Sequence, residues 1–223
     1  MNETVVSIAI DGPAGAGKST IAKRVAAELG ISYLDTGAMY RAVALACGKR
    51  GIALDDAERV GELLSTLKLD VDWQEGVQHV YIDGGDVSVE IRTEAMGRGA
   101  SDVSKLPCVR DALASKQREI GRRRSVIMDG RDIGTYVMPY APYKFYVTAS
   151  SEERARRRML QLEGKGQSAD YETILKAIRE RDAQDMGRSY VPLKQADDAL
   201  LVDTTNMSID EAVSFITKAV QKE

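Results

Sequence analysis

Residues 12–19, with the sequence GPAGAGKS, are compatible with few protein folds. They fit the pattern G-x-x-x-x-G-K-[ST], in which small residues let backbone N–H groups curl around phosphate oxygens. An apolar run from Val5 to Ile10 comes just before them, and residues 18–29 have apolar positions at helical spacing up to a stop at Gly30. Because the pattern requires a strand that leads through the loop into a helix, we expect residues 12–20 to bind phosphate groups.

The end of this loop indicates how the phosphates of a nucleotide and Mg²⁺ would be held. The predicted loop comprises Gly12, Pro13, Ala14, Gly15, Ala16, Gly17, Lys18, Ser19 and Thr20. Lys18 is expected to bridge the β- and γ-phosphates, Ser19 to ligate Mg²⁺ through its hydroxyl, and Thr20 to donate to the α-phosphate. The loop alone does not distinguish a kinase from an ATPase, a GTPase switch or a nucleotide-binding module.

Buried strands alternate with helices along the rest of the chain. The patterns predict further strands at 125–128, 143–147 and 200–202, and helices at 36–48, 55–67, 91–102, 106–123, 151–165, 170–187 and 208–221. Thr36 is the predicted N-cap of the second helix. Residues 69–73 and 79–82, followed by Gly84-Gly85, indicate a small antiparallel sheet between helices. We therefore expect an α/β fold of the P-loop NTPase type, a parallel sheet wrapped by helices with an antiparallel β insert.

Composition and charge exclude several classes of protein. Hydrophobic residues make up 43% of the chain and charged residues 29%, with a net charge of −3, so the basic excess of a general nucleic-acid-binding surface is missing. No apolar run approaches the ~18 residues of a membrane span, and residues 1–5 lack the basic start of a signal peptide. Cys47 and Cys108 have no metal-ligand or CxxC spacing. We expect a cytoplasmic monomer that binds neither nucleic acid nor membrane.

A second charged segment, Asp129-Gly130-Arg131-Asp132, follows the strand predicted to end at Met128. Ligand-binding residues of α/β proteins lie at the carboxyl ends of strands, so we expect this segment to face the same cleft as the phosphate loop. Asp129 could hold Mg²⁺, directly or through water. Arg131 and Asp132 would bring opposite charges into that cleft.

Arginines recur at helical spacing further along the chain. Arg154 and Arg158 are four residues apart on one predicted helix, and Arg181 and Arg188 are seven apart on or near the next. Each pair therefore lies on one helix face. Arginines grouped in this way suit the binding of phosphate groups.

Taken together, these blocks resemble bacterial cytidylate kinases over essentially the full length of the chain. The matching blocks are residues 10–13 with the phosphate loop, 34–41, 90–93, 129–135, 149–155 and 180–182. The inserted three-stranded sheet near 69–88 is also typical of that group. The resemblance implies phosphoryl transfer from ATP, with Mg²⁺, to CMP or dCMP. It further implies three parts of the chain. The core comprises residues of about 1–35, 105–150 and 171–223. The region that binds the nucleoside monophosphate (NMP) comprises about 36–104 and carries the insert, and a short lid comprises about 150–170.

The resemblance also implies roles for matching positions. The acceptor phosphate would be held by Thr36, Arg41 and Arg131, with Tyr40 beside them. Cytosine would be read by Ser101, Arg110 and Asp132. Near the sugar and phosphates would lie Arg181, Asp185 and Arg188. Lys18, Arg131, Arg158, Arg181 and Arg188 would neutralise charge on the transferred group. Arg154 and Arg158 would contact ATP, Arg154 by stacking on the adenine. Thr36 replaces the serine that is common there and keeps the hydroxyl.

Hydrogen-bond chemistry agrees with the cytosine assignment. Cytosine has an amino donor at C4 and acceptors at N3 and O2, so the Asp132 carboxylate can accept and Arg110 can donate. Uracil presents an acceptor at C4 and a donor at N3, and a site built for cytosine would reject it.

Two alternatives stay open at this point. One is a kinase for another small acceptor such as UMP, dTMP or shikimate, which the set Ser101, Arg110 and Asp132 disfavours. The other is a P-loop nucleotide switch or sensor, although the guanine-reading motif N-K-x-D is absent from the sequence.

Overall fold

Strands and helices alternate along residues 5–221, the part of the chain that the computed structural model describes. In chain order its strands are β1 (Ser7–Asp11), β2 (Ser32–Asp35), β3 (Leu69–Gln74), β4 (Val77–Ile82), β5 (Gly85–Asp86), β6 (Val126–Gly130), β7 (Tyr143–Thr148) and β8 (Leu200–Asp203). Its α-helices are α1 (Lys18–Leu29), α2 (Thr36–Lys49), α3 (Ala57–Thr66), α4 (Glu94–Val103), α5 (Pro107–Arg123), α6 (Ser151–Glu163), α7 (Tyr171–Met186) and α8 (Ile209–Gln221). A 3₁₀-helix (Glu90–Arg92) precedes α4, and a π-helix (Ile133–Val137) follows β6.

Five of the strands form one parallel sheet in the spatial order β2-β6-β1-β7-β8. Since all five run in the same direction, their carboxyl ends lie along one edge of the sheet, where α/β proteins bind ligands. The phosphate loop leaves the central strand β1 at this edge, and residues 129–132 leave the neighbouring strand β6. The predicted α/β fold with a parallel sheet is confirmed.

Helices cover both faces of this sheet because successive strand residues point to opposite sides. In β1, Ile8 and Ile10 are fully buried against the face that packs on α1 and α8. Ala9 points the other way, into the core formed with α2, α4 and α5. Small residues along α2, including Ala42 and Ala46, let that helix lie deep in this second core.

The predicted antiparallel insert is also confirmed, with the strand order β3-β4-β5. It lies between α3 and the 3₁₀-helix, and the helix predicted from residue 91 begins at Glu94, where the Thr93 hydroxyl caps it by accepting from the Met96 amide. Among residues 5–221, no helix combines the length and the apolar character that a membrane crossing needs. The expectation about a signal peptide concerns mainly residues 1–4, which lie outside the described residues.

Three local predictions were wrong. The first strand begins at Ser7 rather than Val5, and β2 was not predicted because it is four residues long with polar ends. Thr36 is not the N-cap of α2: the Asp35 carboxylate accepts from the Ala38 amide at 3.0 Å and caps the helix instead. The Thr36 hydroxyl donates to the Asp129 carbonyl at 2.7 Å, which ties α2 to β6.

Candidate active site

The phosphate loop depends on backbone conformations that favour glycine. Gly12, Gly15 and Gly17 have φ angles of 144°, 79° and 89°, and a Cβ on Gly12 would lie 1.9 Å from the Val147 carbonyl oxygen. The Lys18 ammonium is buried and donates to the Pro13 carbonyl at 2.7 Å, across the loop. Burial, and then the charge of Arg131, lowers the pKa of Lys18. The loop therefore holds a cation that lacks a carboxylate partner among the described residues and can take an anion.

An oxygen pair that suits Mg²⁺ lies beside this loop. The Ser19 hydroxyl donates to Oδ2 of Asp129 at 2.7 Å, and the Tyr33 hydroxyl donates to Oδ1 at 2.8 Å. Hydroxyl and carboxylate oxygens are the donors that Mg²⁺ prefers, so Ser19 and Asp129 fit the predicted metal site. Burial raises the pKa of Asp129, with a contribution from Asp35. Tyr33 was missed by sequence reasoning, because its role depends on β2 lying next to β6.

The start of α2 presents the predicted acceptor-phosphate residues. Thr36, Tyr40 and Arg41 lie on its first two turns. Oδ2 of Asp35 accepts from both Arg41 and Arg92 at 2.7 Å. Burial opposes ionisation of Asp35, but the two guanidinium groups lower its pKa overall. Asp35 and Arg92 were not among the predicted site residues, although both fall within the matching sequence blocks.

The predicted base-reading residues lie at the far end from the phosphate loop. Arg110 on α5 and Asp132 after β6 form an ion pair at 2.6 Å, and both side chains are at most 8% exposed. Arg110 also donates to the Ser104 carbonyl at 3.2 Å. The Ser101 hydroxyl accepts from the Gln184 amide at 3.0 Å, which links α4 to α7.

A cluster of arginines surrounds one buried carboxylate between these two ends. Asp185, 1% exposed, accepts from Nε of Arg131 at 2.9 Å and also from Arg188. Nε of Arg181, and Nε and Nη1 of Arg188, are buried and have no hydrogen-bond partner within residues 5–221. Burial, followed by the charge of Arg131, lowers the pKa of Arg181. Arg131 and Arg188 bond to this carboxylate, and Arg181 lies close enough to help lower its pKa, so the cluster carries excess positive charge.

Arg154 lies beneath the phosphate loop rather than open to solvent. Its guanidinium pairs with Asp182 at 2.6 Å and donates to the carbonyls of Ala14 at 3.1 Å and Ala149 at 2.9 Å. Arg158, one turn further along α6, donates to Gln161 at 2.7 Å. Arg154 therefore braces the loop that would bind ATP phosphates.

One cavity of about 590 Å³ connects the phosphate loop, the start of α2, the arginine cluster and the Arg110–Asp132 pair. Every predicted site residue lines it except Gly12, Pro13 and Ala16, which form the base and back of the phosphate loop. The cavity also includes residues that sequence reasoning missed, namely Asp35, Gly37, Gly97, Ala100, Ser104, Arg157, Gln161 and Ile209. Most are small or apolar residues on helices, whose sequence pattern does not separate a cavity wall from an ordinary helix face.

The buried Asp11 carboxylate connects the two halves of the site from below. It accepts from the backbone amides of Ile133 at 2.8 Å and Gly134 at 2.7 Å, at the start of the π-helix that follows Asp132. Burial raises the pKa of Asp11 to about 7, against the effect of these two donors. The π-helix and the Asp11 contacts were not predicted.

Comparisons with known proteins agree with this geometry. The family model "Cytidylate kinase" matches residues 8–222. The chain is 47% identical over 222 residues to a protein named cytidylate kinase from Caldanaerobacter subterraneus subsp. tengcongensis, covering 100% of this chain and 97% of that one. It is 46% identical over 217 residues to the cytidylate kinase of Caldicellulosiruptor bescii, with 97% and 96% covered.

A solved structure supports the fold alone. An uncharacterized protein from Eubacterium ventriosum aligns with a TM-score of 0.55 at 13% identity, over 98% of this chain and 99% of that one. The full-length family match and the high identity to these relatives establish a closer relationship. The chain belongs to the cytidylate kinase family.

Proposed function

We propose that this protein transfers the γ-phosphoryl group of ATP to CMP and dCMP, giving ADP with CDP or dCDP. The observation that carries the proposal is the single cavity that runs from the phosphate loop to the buried Arg110–Asp132 pair. A triphosphate at one end and a pyrimidine monophosphate at the other would bring their phosphates together at the arginine cluster. Family membership supports the same activity.

At the donor end, the loop amides and Lys18 bind the ATP phosphates. Ser19 and Asp129 would hold Mg²⁺, directly or through water, and the bound ion would neutralise charge on the phosphate oxygens. Arg158 on α6 lines the same cavity, which supports its assignment to the ATP phosphates. Stacking of Arg154 on the adenine stays a prediction; in the structure its guanidinium donates to the Asp182 carboxylate.

At the acceptor end, Thr36, Arg41 and Arg131 hold the phosphate of CMP. The Arg110–Asp132 pair reads the cytosine: Asp132 accepts from the amino group and Arg110 donates to the ring acceptors. Ser101 belongs to the same base-reading set, and Asp185 lies near the sugar and the phosphates. Tyr40 packs beside this end of the cavity, on the same helix as Arg41.

The transfer itself requires positioning and charge neutralisation rather than a general base. A phosphate monoester has a second pKa of about 6 and is largely a dianion at pH 7, so its oxygen can attack without losing a proton to the protein. Arg131, Arg181 and Arg188 supply positive charge where negative charge moves between the two phosphates. In Arg181 and Arg188, buried N–H groups without a hydrogen-bond partner among the described residues are available for phosphate oxygens.

Water must be excluded, because it would otherwise accept the phosphoryl group. We assign this task to the segment of about 150–170 as a lid and to the NMP-binding region of about 36–104, each moving against the core formed by about 1–35, 105–150 and 171–223. We expect the protein to act as a cytoplasmic monomer.

An acceptor panel tests the proposal. ADP release would be measured with ATP and Mg²⁺ in the separate presence of CMP, dCMP, UMP, dTMP, AMP and shikimate. Strong turnover with CMP or dCMP is the expected result. Turnover confined to another acceptor would refute the base-reading assignment, and nucleotide binding without turnover would indicate a switch or sensor.

A further inference from the structure

The outer edge of the large sheet is covered by side chains instead of a strand. β2 is the edge strand, so the backbone groups of alternate residues point away from β6 and need other partners. The Tyr33 carbonyl accepts from Nε1 of Trp73 at 2.8 Å. The Asp35 amide donates to Oε1 of Gln78 at 2.7 Å, and the Asp35 carbonyl accepts from Nε2 of Gln78 at 3.3 Å.

The two side chains that make these contacts form one cross-strand pair of the inserted sheet. Trp73 on β3 and Gln78 on β4 are directly opposite in the antiparallel register, so both side chains leave the same face of the insert. The Gln78 amide gives Asp35 one acceptor and one donor, as a neighbouring strand would. Gln78 is only 8% exposed, and a buried amide is costly unless it is hydrogen-bonded, so this contact specifies how the insert docks.

Asp35, the residue on which the insert docks, determines the position of several groups at the acceptor end of the cavity. Asp35 caps α2, and its Oδ2 accepts from Arg41 of α2 and from Arg92, which follows the insert in the 3₁₀-helix. Thr36 is the next residue along the chain and lines the cavity. A shift of the Asp35 backbone would therefore move a carboxylate, two guanidinium groups and the start of α2 together.

We propose that Gln78 is a positioning residue of the acceptor-phosphate site. By holding both backbone groups of Asp35, it fixes the Asp35 carboxylate and, through it, Arg41 and Arg92. The inserted sheet is then a functional part of the acceptor site. The identity of the acceptor in this inference rests on the proposed function. The positioning of Asp35 by Gln78 does not depend on it.

The experiment compares Gln78→Met with the wild-type protein and with Gln74→Ala. Methionine keeps the length and volume of Gln78 and makes neither hydrogen bond. Gln74 is the matched control, since it is an exposed glutamine on the adjoining strand whose amide donates to Tyr81 within the insert. Two quantities would be measured: steady-state kinetics with CMP and ATP varied separately, and amide hydrogen exchange at Asp35.

For Gln78→Met we expect the KM for CMP to rise about tenfold, as the loss of a buried hydrogen-bonded contact would give. The kcat and the KM for ATP stay within about twofold, because the loss is confined to binding at the acceptor end. Exchange at the Asp35 amide becomes faster, and Gln74→Ala changes none of these values.

Two results would overturn the inference: faster exchange at Asp35 with an unchanged KM for CMP, or unchanged exchange. A wild-type protein that does not phosphorylate CMP would refute the proposed function alone. The exchange measurement, and the same KM comparison with the acceptor that it does use, would still decide the role of Gln78.

Discussion

The Ser19 hydroxyl donates to Oδ2 of Asp129 at 2.7 Å, although the two residues are 110 positions apart in the chain. The contact exists because β1 and β6 are adjacent and parallel, so that the loop after β1 and the end of β6 meet at one edge of the sheet. It places a hydroxyl and a carboxylate next to Lys18, where the phosphates of ATP would carry Mg²⁺. The first prediction concerns this pair.

Replacing Asp129 by asparagine is expected to raise the Mg²⁺ concentration for half-maximal activity by about 10–100-fold, since the charge that would attract the ion is lost. Asp203→Asn is the matched control: Asp203 ends the edge strand β8 of the same sheet, and among the described residues its carboxylate accepts only from Thr205. Mg²⁺ titrations of the initial rate would measure the effect. Identical titration curves for Asp129→Asn and the wild type would remove Asp129 from the metal site.

The Arg110–Asp132 pair leads to a prediction about specificity. Asp132→Ala removes the group that would accept from the cytosine amino group, so we expect turnover of CMP to fall and the ratio of kcat/KM for CMP over UMP to narrow. Parallel assays with both nucleotides measure that ratio. If the ratio stays unchanged while activity falls, Asp132 does not read the base.

Variants of Arg110 and Asp132 can separate the effect of this pair on the free energy of unfolding from its effect on recognition of the base. Asp132→Ala leaves the Arg110 guanidinium buried without its partner, which typically costs about 3–5 kcal/mol of unfolding free energy. The double variant Arg110→Met, Asp132→Leu has no buried charge there and is expected to recover most of this stability in urea denaturation. It is not expected to recover activity with CMP, so a double variant that does would contradict the assignment of both residues.

Sequence reasoning found the site residues that lie within one continuous segment of the chain. It missed residues whose role depends on a second segment that packs beside them in the fold. The phosphate loop and residues 129–132 were found because each is a continuous pattern at the end of a buried strand. Tyr33 was missed because its hydroxyl matters only once β2 lies beside β6. Thr36 and Asp35 are both good N-cap residues, and the position of Asp129 decides which one caps α2. The roles assigned by resemblance are consistent with the shared cavity and stay predictions.

Gly12 provides a prediction about backbone conformation. Gly12→Ala would place a Cβ 1.9 Å from the Val147 carbonyl oxygen at a φ of 144°, so β1 and β7 could not keep their spacing. We expect a large loss of thermal stability and of ATP binding. Gly48→Ala is the control. Gly48 lies in α2, and apart from the helix's own backbone no atom of the described residues lies within 4 Å of its Cβ position, so alanine there is expected to stabilise by about 0.5–1 kcal/mol. Equal melting temperatures for the two variants would contradict the argument.

Asp11 makes the stability depend on pH in an unusual direction. Its pKa is raised by burial from 3.8 to about 7, so the native protein keeps a proton that the unfolded chain releases near pH 4. The stabilising contribution of the protonated group is therefore complete below pH 4 and is lost as pH rises to about 7. Asp11→Asn cannot titrate, so its destabilisation relative to wild type is expected to shrink between pH 5 and pH 8. Urea denaturation at several pH values measures this, and a constant difference would show that Asp11 is ionised throughout.

The arginine cluster should cost stability in the absence of substrate. Arg181 is half-buried, its Nε is buried without a hydrogen-bond partner among the described residues, and burial together with the charge of Arg131 lowers its pKa. Its guanidinium is therefore an incompletely neutralised charge that suits an anion. Arg181→Met removes this charge while keeping most of the side-chain volume, and we expect the melting temperature of the unliganded protein to rise by about 2–4 °C, the shift that corresponds to about 1 kcal/mol in a chain of this size.

Ligand binding is expected to stabilise the same variant less than it stabilises the wild-type protein. A ligand at 100 times its Kd stabilises a protein by about 2.7 kcal/mol, so wild-type protein should gain several degrees with CMP and ADP together. Arg181→Met should gain less and should have a kcat lower by about 10²–10³-fold, because one donor to the transferred phosphoryl group is missing. Arg179→Met, on the same helix but exposed and paired with Glu152, is the matched control and should resemble wild type in all three measurements. If Arg181→Met instead lowers the unliganded melting temperature and leaves the ligand-induced shift intact, Arg181 stabilises the fold and does not serve the reaction.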